Sequence, residues 1–127
     1  MKTFLLILSL TLGACISAPI DTVPTDGAMG RQLERVLSRH DAYVQADAAL
    51  PPAEAELDLA QSAGVRSLAM LGEVRRGALA AALAPVADRH DAYVKDDLTL
   101  EQLEVDTYLA STESLRRVLE PGAEVGR

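Results

Sequence analysis

A six-residue segment occurs twice in this chain of 127 residues. Residues 39–44 read Arg-His-Asp-Ala-Tyr-Val, and residues 89–94 repeat them fifty positions later. The match extends in both directions at the same offset, so that one unit covers about 28–70 and its copy about 78–120. An internal repeat of this kind indicates duplication of one supersecondary unit. The chain must therefore fold into two equivalent halves.

Each unit predicts a pair of helices. The first half of each unit carries a stripe of residues spaced alternately by three and four, which is typical of an amphipathic helix. The stripes are Met29, Leu33, Val36, His40, Tyr43 and Asp47, and then Leu79, Leu83, Val86, His90, Tyr93 and Asp97. No segment shows the alternation that indicates a β-strand. Two αα-hairpins predict an all-α fold, an antiparallel four-helix bundle.

Turn residues locate the start of the second helix in each unit. Pro51 and Pro52 suit the first turn of a helix, where the missing N–H costs nothing. In the copy, Thr99 and Gln102 have the spacing of a capping box, which predicts Thr99 as the N-cap.

The junction between the units has two interpretations. Gly72 and Gly77 either end the second helix or lie within one helix that continues to about Ala84. The sequence thus leaves open whether residues 53–84 form one helix or two. Pro85 predicts a kink or a new helix start, because proline cannot donate to the residue four positions earlier.

The N-terminus has the features of an export signal. A positive start is followed by the apolar run Phe4–Leu12 and the small residues Gly13 and Ala14. The run is too short to span a bilayer as a stable helix. The segment Leu12-Gly13-Ala14-Cys15 resembles the lipobox of bacterial lipoproteins, which implies cleavage after Ala14 and lipidation of Cys15. Ile16 rather than Asp follows the cysteine, which resembles the outer-membrane class of these lipoproteins.

The expected organisation follows from the signal and the repeat. Residues 1–14 form the signal peptide, and residues 15–29 comprise the lipidated cysteine and a flexible tether. Residues 30–120 form the helical domain of two repeats, and residues 121–127 form a C-terminal tail. The expected location is the cell envelope, lipid-anchored, at an outer membrane and facing the periplasm.

Composition excludes several classes of function. The net charge is −7, and an acidic chain is a poor match to nucleic acid, which requires a basic face. Cys15 is the only cysteine, so no intramolecular disulfide forms. The sequence has no Walker loop, nucleophile elbow, HExxH or CxxC motif. We therefore expect neither enzymatic activity nor a cofactor.

The candidate binding residues are His40, Tyr43, His90 and Tyr93, which belong to the duplicated motif. One hypothesis is that the two histidines face each other and, with Asp47 and Asp97, hold a divalent metal or a small ligand. Known di-metal bundles use Glu-x-x-His, which this sequence lacks.

The competing interpretation is structural. It assigns Glu54 and Glu104 as the hydrogen-bond partners of the histidines, and Asp47 and Asp97 as turn and helix-capping groups. Arg66 and Arg116 become salt-bridged residues of the helix surface. The sequence favours this interpretation, so that no metal ligand is assigned.

The function predicted from the sequence is protein–protein interaction in the cell envelope. A membrane anchor on Cys15 would display the helical domain to an envelope protein. The roles that fit are an accessory factor, an inhibitor, or a phage lysis or exclusion lipoprotein. A periplasmic small-ligand or metal-binding module is the alternative.

Overall fold

The computed structural model describes residues 20–121. The order of elements is β1 (Thr22–Pro24), α1 (Ala28–Ala46), α2 (Pro52–Ala69), β2 (Glu73–Arg75), α3 (Arg76–Asp96) and α4 (Gln102–Val118). The predicted signal peptide, Cys15 and all but the first residue of the predicted tail lie outside the described residues. No helix within residues 20–121 is both long enough and apolar enough to cross a membrane.

The helices form the predicted four-helix bundle. Asp41 of α1 contacts Ser62 of α2, while Glu34 contacts Arg66, so the first hairpin is antiparallel. The second hairpin repeats this arrangement. Arg39 meets His90 and Tyr43 stacks on Tyr93, so α1 and α3 run in the same direction along the bundle. Each of α2 and α4 packs against both α1 and α3. The two hairpins are thus related by a pseudo-twofold axis that runs along the bundle.

The apolar core fills the end of the bundle where α1 and α3 begin. It is made of leucine and valine from all four helices, as expected in a chain whose aromatic content is 3%. The fully buried members with the largest side chains are Leu33, Leu37, Leu79 and Leu115. The histidines follow the core along the same stripe, so a polar layer lies directly beyond it.

Two short strands that the sequence did not predict close this end of the bundle. β1 pairs antiparallel with β2, and Val23 lies opposite Val74, with both side chains buried. Runs of three residues are too short to show an alternating pattern, which is why the sequence did not reveal them. The folded domain therefore begins by Thr22.

Arg76 fixes the strands to the helices. Its guanidinium is buried and donates to both carboxylate oxygens of Asp21, at 3.0 and 2.9 Å, and to the carbonyl of Val118 at the end of α4. Its backbone N–H donates to the carbonyl of Asp21 at 2.9 Å. One side chain thus joins the segment before β1, the start of α3 and the end of α4.

The junction between the repeats contains two separate helices. α2 ends at Ala69, and Gly72 takes a positive φ of 81° that reverses the chain into β2. Gly77 lies inside α3. Pro85 does not start a new helix, because α3 runs through it without interruption. Leu83 and Val86 are anchored in the core on either side, and their packing keeps the helix continuous.

The first helix boundary was predicted correctly and the second was not. Pro52 begins α2 as expected. α4 begins at Gln102, and its N-cap is Glu101, whose N–H donates to the Glu104 carboxylate at 3.2 Å. Thr99 lies in the preceding turn, where its N–H and hydroxyl donate to Asp97 at 3.0 and 2.6 Å. Because Thr99 is hydrogen-bonded to Asp97 in the turn, the N-cap is Glu101, two residues further along the chain than predicted.

Candidate functional site

The duplicated motif forms a polar layer that joins the two hairpins. His40 and His90 are fully buried, at 0% exposure, in the middle of the bundle. Each histidine contacts an arginine from the other hairpin and an aspartate from its own helix. The polar layer comprises Arg39, His40, Asp41, Ser62 and Arg66, with their counterparts Arg89, His90, Asp91, Thr112 and Arg116. The repeat therefore does bring its histidines to the shared interface.

The arginines determine the protonation state of the histidines. Arg89 donates to Nε2 of His40 at 3.1 Å, and Arg39 donates to Nε2 of His90 at 3.0 Å. Because a guanidinium is always a donor, each Nε2 must be an acceptor. The remaining proton then lies on Nδ1, which donates to Asp41 or Asp91 at 2.9 Å. Both imidazoles are thus held neutral in one tautomer.

Burial lowers the pKa of both histidines below 6.5, and the neighbouring aspartates only partly oppose that shift. The arginine also disfavours the charged form, because a protonated Nε2 would point its N–H at the guanidinium that now donates to it. In this fold neither histidine has a free ring nitrogen for a metal ion or for proton transfer.

Asp41 and Asp91 hold each hairpin together. The carboxylate of Asp41 accepts from Ser62 at 2.6 Å and from Arg66 at 2.7 Å. Asp91 accepts from Thr112 at 2.7 Å and from Arg116 at 2.8 Å. Burial alone would raise the pKa of each carboxyl group, but these hydrogen bonds and the histidine outweigh it and lower the pKa. Both aspartates therefore act as fixed anions between two helices.

The predicted role of Glu54 and Glu104 as histidine partners was wrong. The aspartates that directly follow the histidines take that role, because they lie on the side of the helix that faces the hairpin partner. Arg66 and Arg116 are salt-bridged, as expected, but they lie half-buried in the polar layer rather than on an open surface.

Tyr43 and Tyr93 form a second layer nearer the helix-connecting turns. Their rings stack with centroids 5.3 Å apart and planes inclined by 7°. The hydroxyl of Tyr43 donates to Asp97 at 2.7 Å, and that of Tyr93 donates to Asp47 at 2.8 Å. Burial and the carboxylate partners raise the pKa of both phenols to about 12. The similar environments of the two tyrosines confirm the prediction from the repeat.

Asp47 and Asp97 combine two roles. Each accepts a backbone N–H in its own turn, from Ala49 or Thr99, at 3.0 Å. Each also accepts the tyrosine hydroxyl of the other hairpin. The structural interpretation predicted the first role, while the second required knowledge of how the hairpins cross.

The geometry does not support a metal centre in the described part of the chain. Residues 20–121 contain no group of three or more His, Cys, Asp or Glu side chains placed to hold a metal ion. Every buried side-chain nitrogen and oxygen in these residues has a hydrogen-bond partner. The duplicated motif is therefore fully used in holding the hairpins together.

The two copies differ where α1 meets α4 and where α2 meets α3. Arg39 lies over the ring of Tyr108, 3.7 Å from its centroid. The equivalent Arg89 instead pairs with Asp58 at 3.1 Å and donates to Gln61 at 3.0 Å. The copies have thus kept the buried contacts and diverged at their outer edges.

A groove between α1 and α4 is one such diverged place. It has a volume of about 390 Å³ and carries three arginines of α1. Its lining consists of Ala28, Arg31, Gln32, Arg35 and Arg39 on one side and Thr107, Tyr108 and Ser111 on the other. Gln32 donates to the carbonyl of Ser111 at 3.3 Å across its floor. Sequence reasoning missed this groove, although the spacing of four between the arginines was visible.

The turn between α3 and α4 and the first turn of α4 each carry one exposed leucine. Leu98 is 95% exposed and Leu103 is 76% exposed. The first copy has Ala48 and Ala53 at the equivalent positions, and both are exposed as well. The bundle therefore presents leucine at two exposed positions where the other hairpin has the smaller alanine.

No family model, curated protein or solved structure matches this chain.

Proposed function

We propose that this protein is a lipid-anchored helical module that acts by binding another protein of the cell envelope. The proposal follows from what the buried motif leaves available. The histidines, aspartates and tyrosines of the repeat are engaged in contacts between helices, so binding falls to the outer surface. A role in protein binding needs only the outer surface. A catalytic or metal-binding role would need the motif residues, which the contacts between helices already occupy.

One observation carries the proposal, namely the exposed Leu98 and Leu103. A leucine side chain left in water forgoes about 1.5–3 kcal/mol of burial free energy. The first copy shows that the fold tolerates alanine at both positions. The leucines are thus unnecessary for folding, and a protein partner that covers them would recover that free energy.

The expected lipid anchor would determine how these leucines are oriented relative to the membrane. Cys15 precedes Ile20 by five residues, which span at most about 18 Å when extended. Ile20 lies at the end of the bundle that the strands close, and the α3–α4 turn lies at the opposite end. A lipid on Cys15 would hold the strand end near the membrane and present the leucines away from it.

The anchor is tested by metabolic labelling. In a diderm host, the chain should incorporate a palmitate analogue and partition into detergent, and Cys15→Ser should abolish both. Labelling and membrane sedimentation that persist in the Ser variant would contradict the lipoprotein assignment.

The contact is tested by site-specific photo-crosslinking in intact host cells. A photoreactive residue at Leu103 should yield an adduct of defined mass, and one at the matched position Ala53 should not. Equal crosslinking at both positions, or at neither, would contradict the proposed binding surface.

A further inference from the structure

The groove between α1 and α4 is built around a row of positive charge. Arg31, Arg35 and Arg39 follow one another at intervals of four residues along α1. Four residues advance an α-helix by about 6 Å, so the row extends over about 12 Å of the groove. Thr107, Tyr108 and Ser111 of α4 form the facing wall.

The charges of the row are not neutralised by neighbouring carboxylates. Within residues 20–121, neither Arg31 nor Arg35 takes part in an ion pair, and no aspartate or glutamate lines the groove. The nearby Glu34 is held by Arg66. Since acidic residues outnumber basic ones by 19 to 12, a groove without them is a distinct feature of this surface.

The second copy shows that the fold does not require this row. The positions equivalent to Arg31 and Arg35 are Ala81 and Pro85, which occupy the same places on α3. Arg31 and Arg35 are exposed and make no hydrogen bond to residues 20–121 through their side chains. Their contribution to folding is therefore small, and their placement points to a ligand.

We propose that this groove binds an extended acidic segment of the partner protein. Alternate side chains of an extended strand are about 6.4–6.8 Å apart on one face, which matches the 6 Å interval of the arginines. Carboxylates at two alternate positions would thus meet the guanidinium groups of Arg31 and Arg35, whose planar forks suit a carboxylate. The ring of Tyr108 already holds Arg39 in place on the groove wall.

The exposed leucines lie beyond one end of the groove. Leu103 lies four residues before Thr107 on α4, and therefore one turn nearer the α3–α4 turn. A segment whose acidic part lies in the groove would bring its next residues to Leu103 and Leu98. The inference rests on the proposed function and specifies the chemistry of the partner as acidic beside the groove and apolar beside the turn.

A short acidic segment fits this site better than a long polyanion does. The row is local, whereas the whole protein carries a net charge of −7 that repels any polyanion extending beyond the groove. Screening over about 8–10 Å leaves the row to act on a short segment alone.

The test is a binding measurement with a synthetic peptide. The probe is a fluorescently labelled peptide of alternating Glu and Ser, eight residues long, titrated with the full chain purified in mild detergent. We expect saturable binding that weakens with added salt. The double variant Arg31→Glu/Arg35→Glu should weaken binding by about tenfold or more, since two attractions become repulsions.

The matched control is Arg75→Glu/Arg117→Glu, which changes the net charge equally at two other exposed arginines. It should retain binding, and both double variants should keep the helical circular dichroism of the parent.

Absence of peptide binding, or an equal loss in both variants, would overturn the proposal. Tighter binding of a single-stranded oligonucleotide or of anionic vesicles to the same arginines would overturn the assignment to an acidic protein segment. The peptide-binding assay does not depend on the lipid anchor. A failed lipid-labelling test would therefore contradict the lipoprotein assignment and leave the peptide-binding result unchanged.

Discussion

The histidines are the residues whose role the structure changes most. Placed on an otherwise apolar stripe, they are candidate ligands in the sequence, yet in the bundle each one links an arginine of one hairpin to an aspartate of the other. The neutral imidazole is suited to this position because it donates on one side and accepts on the other. Few other side chains of similar size do both.

Substitution of His40 separates hydrogen bonding from packing. We expect His40→Gln to lower the free energy of unfolding by about 1 kcal/mol, because an amide retains a donor and an acceptor. His40→Leu should cost about 2–3 kcal/mol, because Arg89 and the Oδ1 atom of Asp41 lose their partner inside the bundle. Urea unfolding measures both values. Equal losses in the two variants would show that the hydrogen bonds contribute little.

Stability should fall as the solution is acidified. The pKa of His40 and of His90 is lowered by burial from 6.5, so below about pH 6.5 the unfolded chain binds protons that the folded chain does not. Unfolding is then favoured as the pH falls. Asp41 and Asp91, whose pKa is also lowered, add a second loss of stability as the pH approaches and passes below 3.8.

The control for this pH dependence is the double variant His40→Gln/His90→Gln. Thermal melts between pH 7 and pH 5 should show a falling Tm in the parent and a flatter profile in the variant. An identical slope in both proteins would assign the effect to other groups.

At the scale of the elements, the glycines test how tightly the strand segment is attached. A Cβ on Gly30 would collide with the carbonyl oxygen of Thr25, whereas a Cβ on Gly64 would meet nothing within 4 Å. Thr25 has little freedom to move, because its N–H bonds Gly72 and its hydroxyl bonds Ala69 at 2.8 and 2.6 Å.

Opposite effects are therefore expected for the same change. Gly30→Ala should destabilise the fold by about 1–3 kcal/mol through overpacking. Gly64→Ala should stabilise it by about 0.5–1 kcal/mol, since alanine restricts the unfolded chain and suits a helix interior. Chemical denaturation of the two variants measures this difference. A neutral Gly30→Ala would mean that β1 and its connection to α1 are loosely held.

At the scale of the whole molecule, the crossed contacts predict that the hairpins unfold together. The polar layer and the tyrosine pair each take residues from both hairpins, and β1 pairs with β2, which lies about fifty residues further along the chain. Loss of one hairpin would leave the half-buried arginine and the buried histidine of the other without partners, which costs free energy.

This cooperativity is measurable with two probes. Near-ultraviolet circular dichroism reports on the stacked tyrosines, since the chain has no tryptophan, and far-ultraviolet circular dichroism reports on the helices. The two thermal transitions should coincide, as they do for two-state unfolding. Separate midpoints would show that one hairpin is stable without the other.

The sequence alone determined the helical hairpins, their duplication and the equivalence of Tyr43 and Tyr93. These features follow from spacing along one chain and from the comparison of one copy with the other. Pro52 at the start of α2 and the turn role of Asp47 and Asp97 are local in the same sense. Such features depend on residues a few positions apart, and therefore they can be read without knowing the fold.

Only the tertiary structure decided which hairpin supplies each partner. Arg39 donates to His90 and Tyr43 donates to Asp97 because the two hairpins pack about a pseudo-twofold axis. No local sequence rule specifies that pairing. The strands, the continuous helix through Pro85 and the basic groove depend in the same way on packing between distant segments. Hydrophobic packing and hydrogen bonds over long sequence separations outweigh local preference at each of these places.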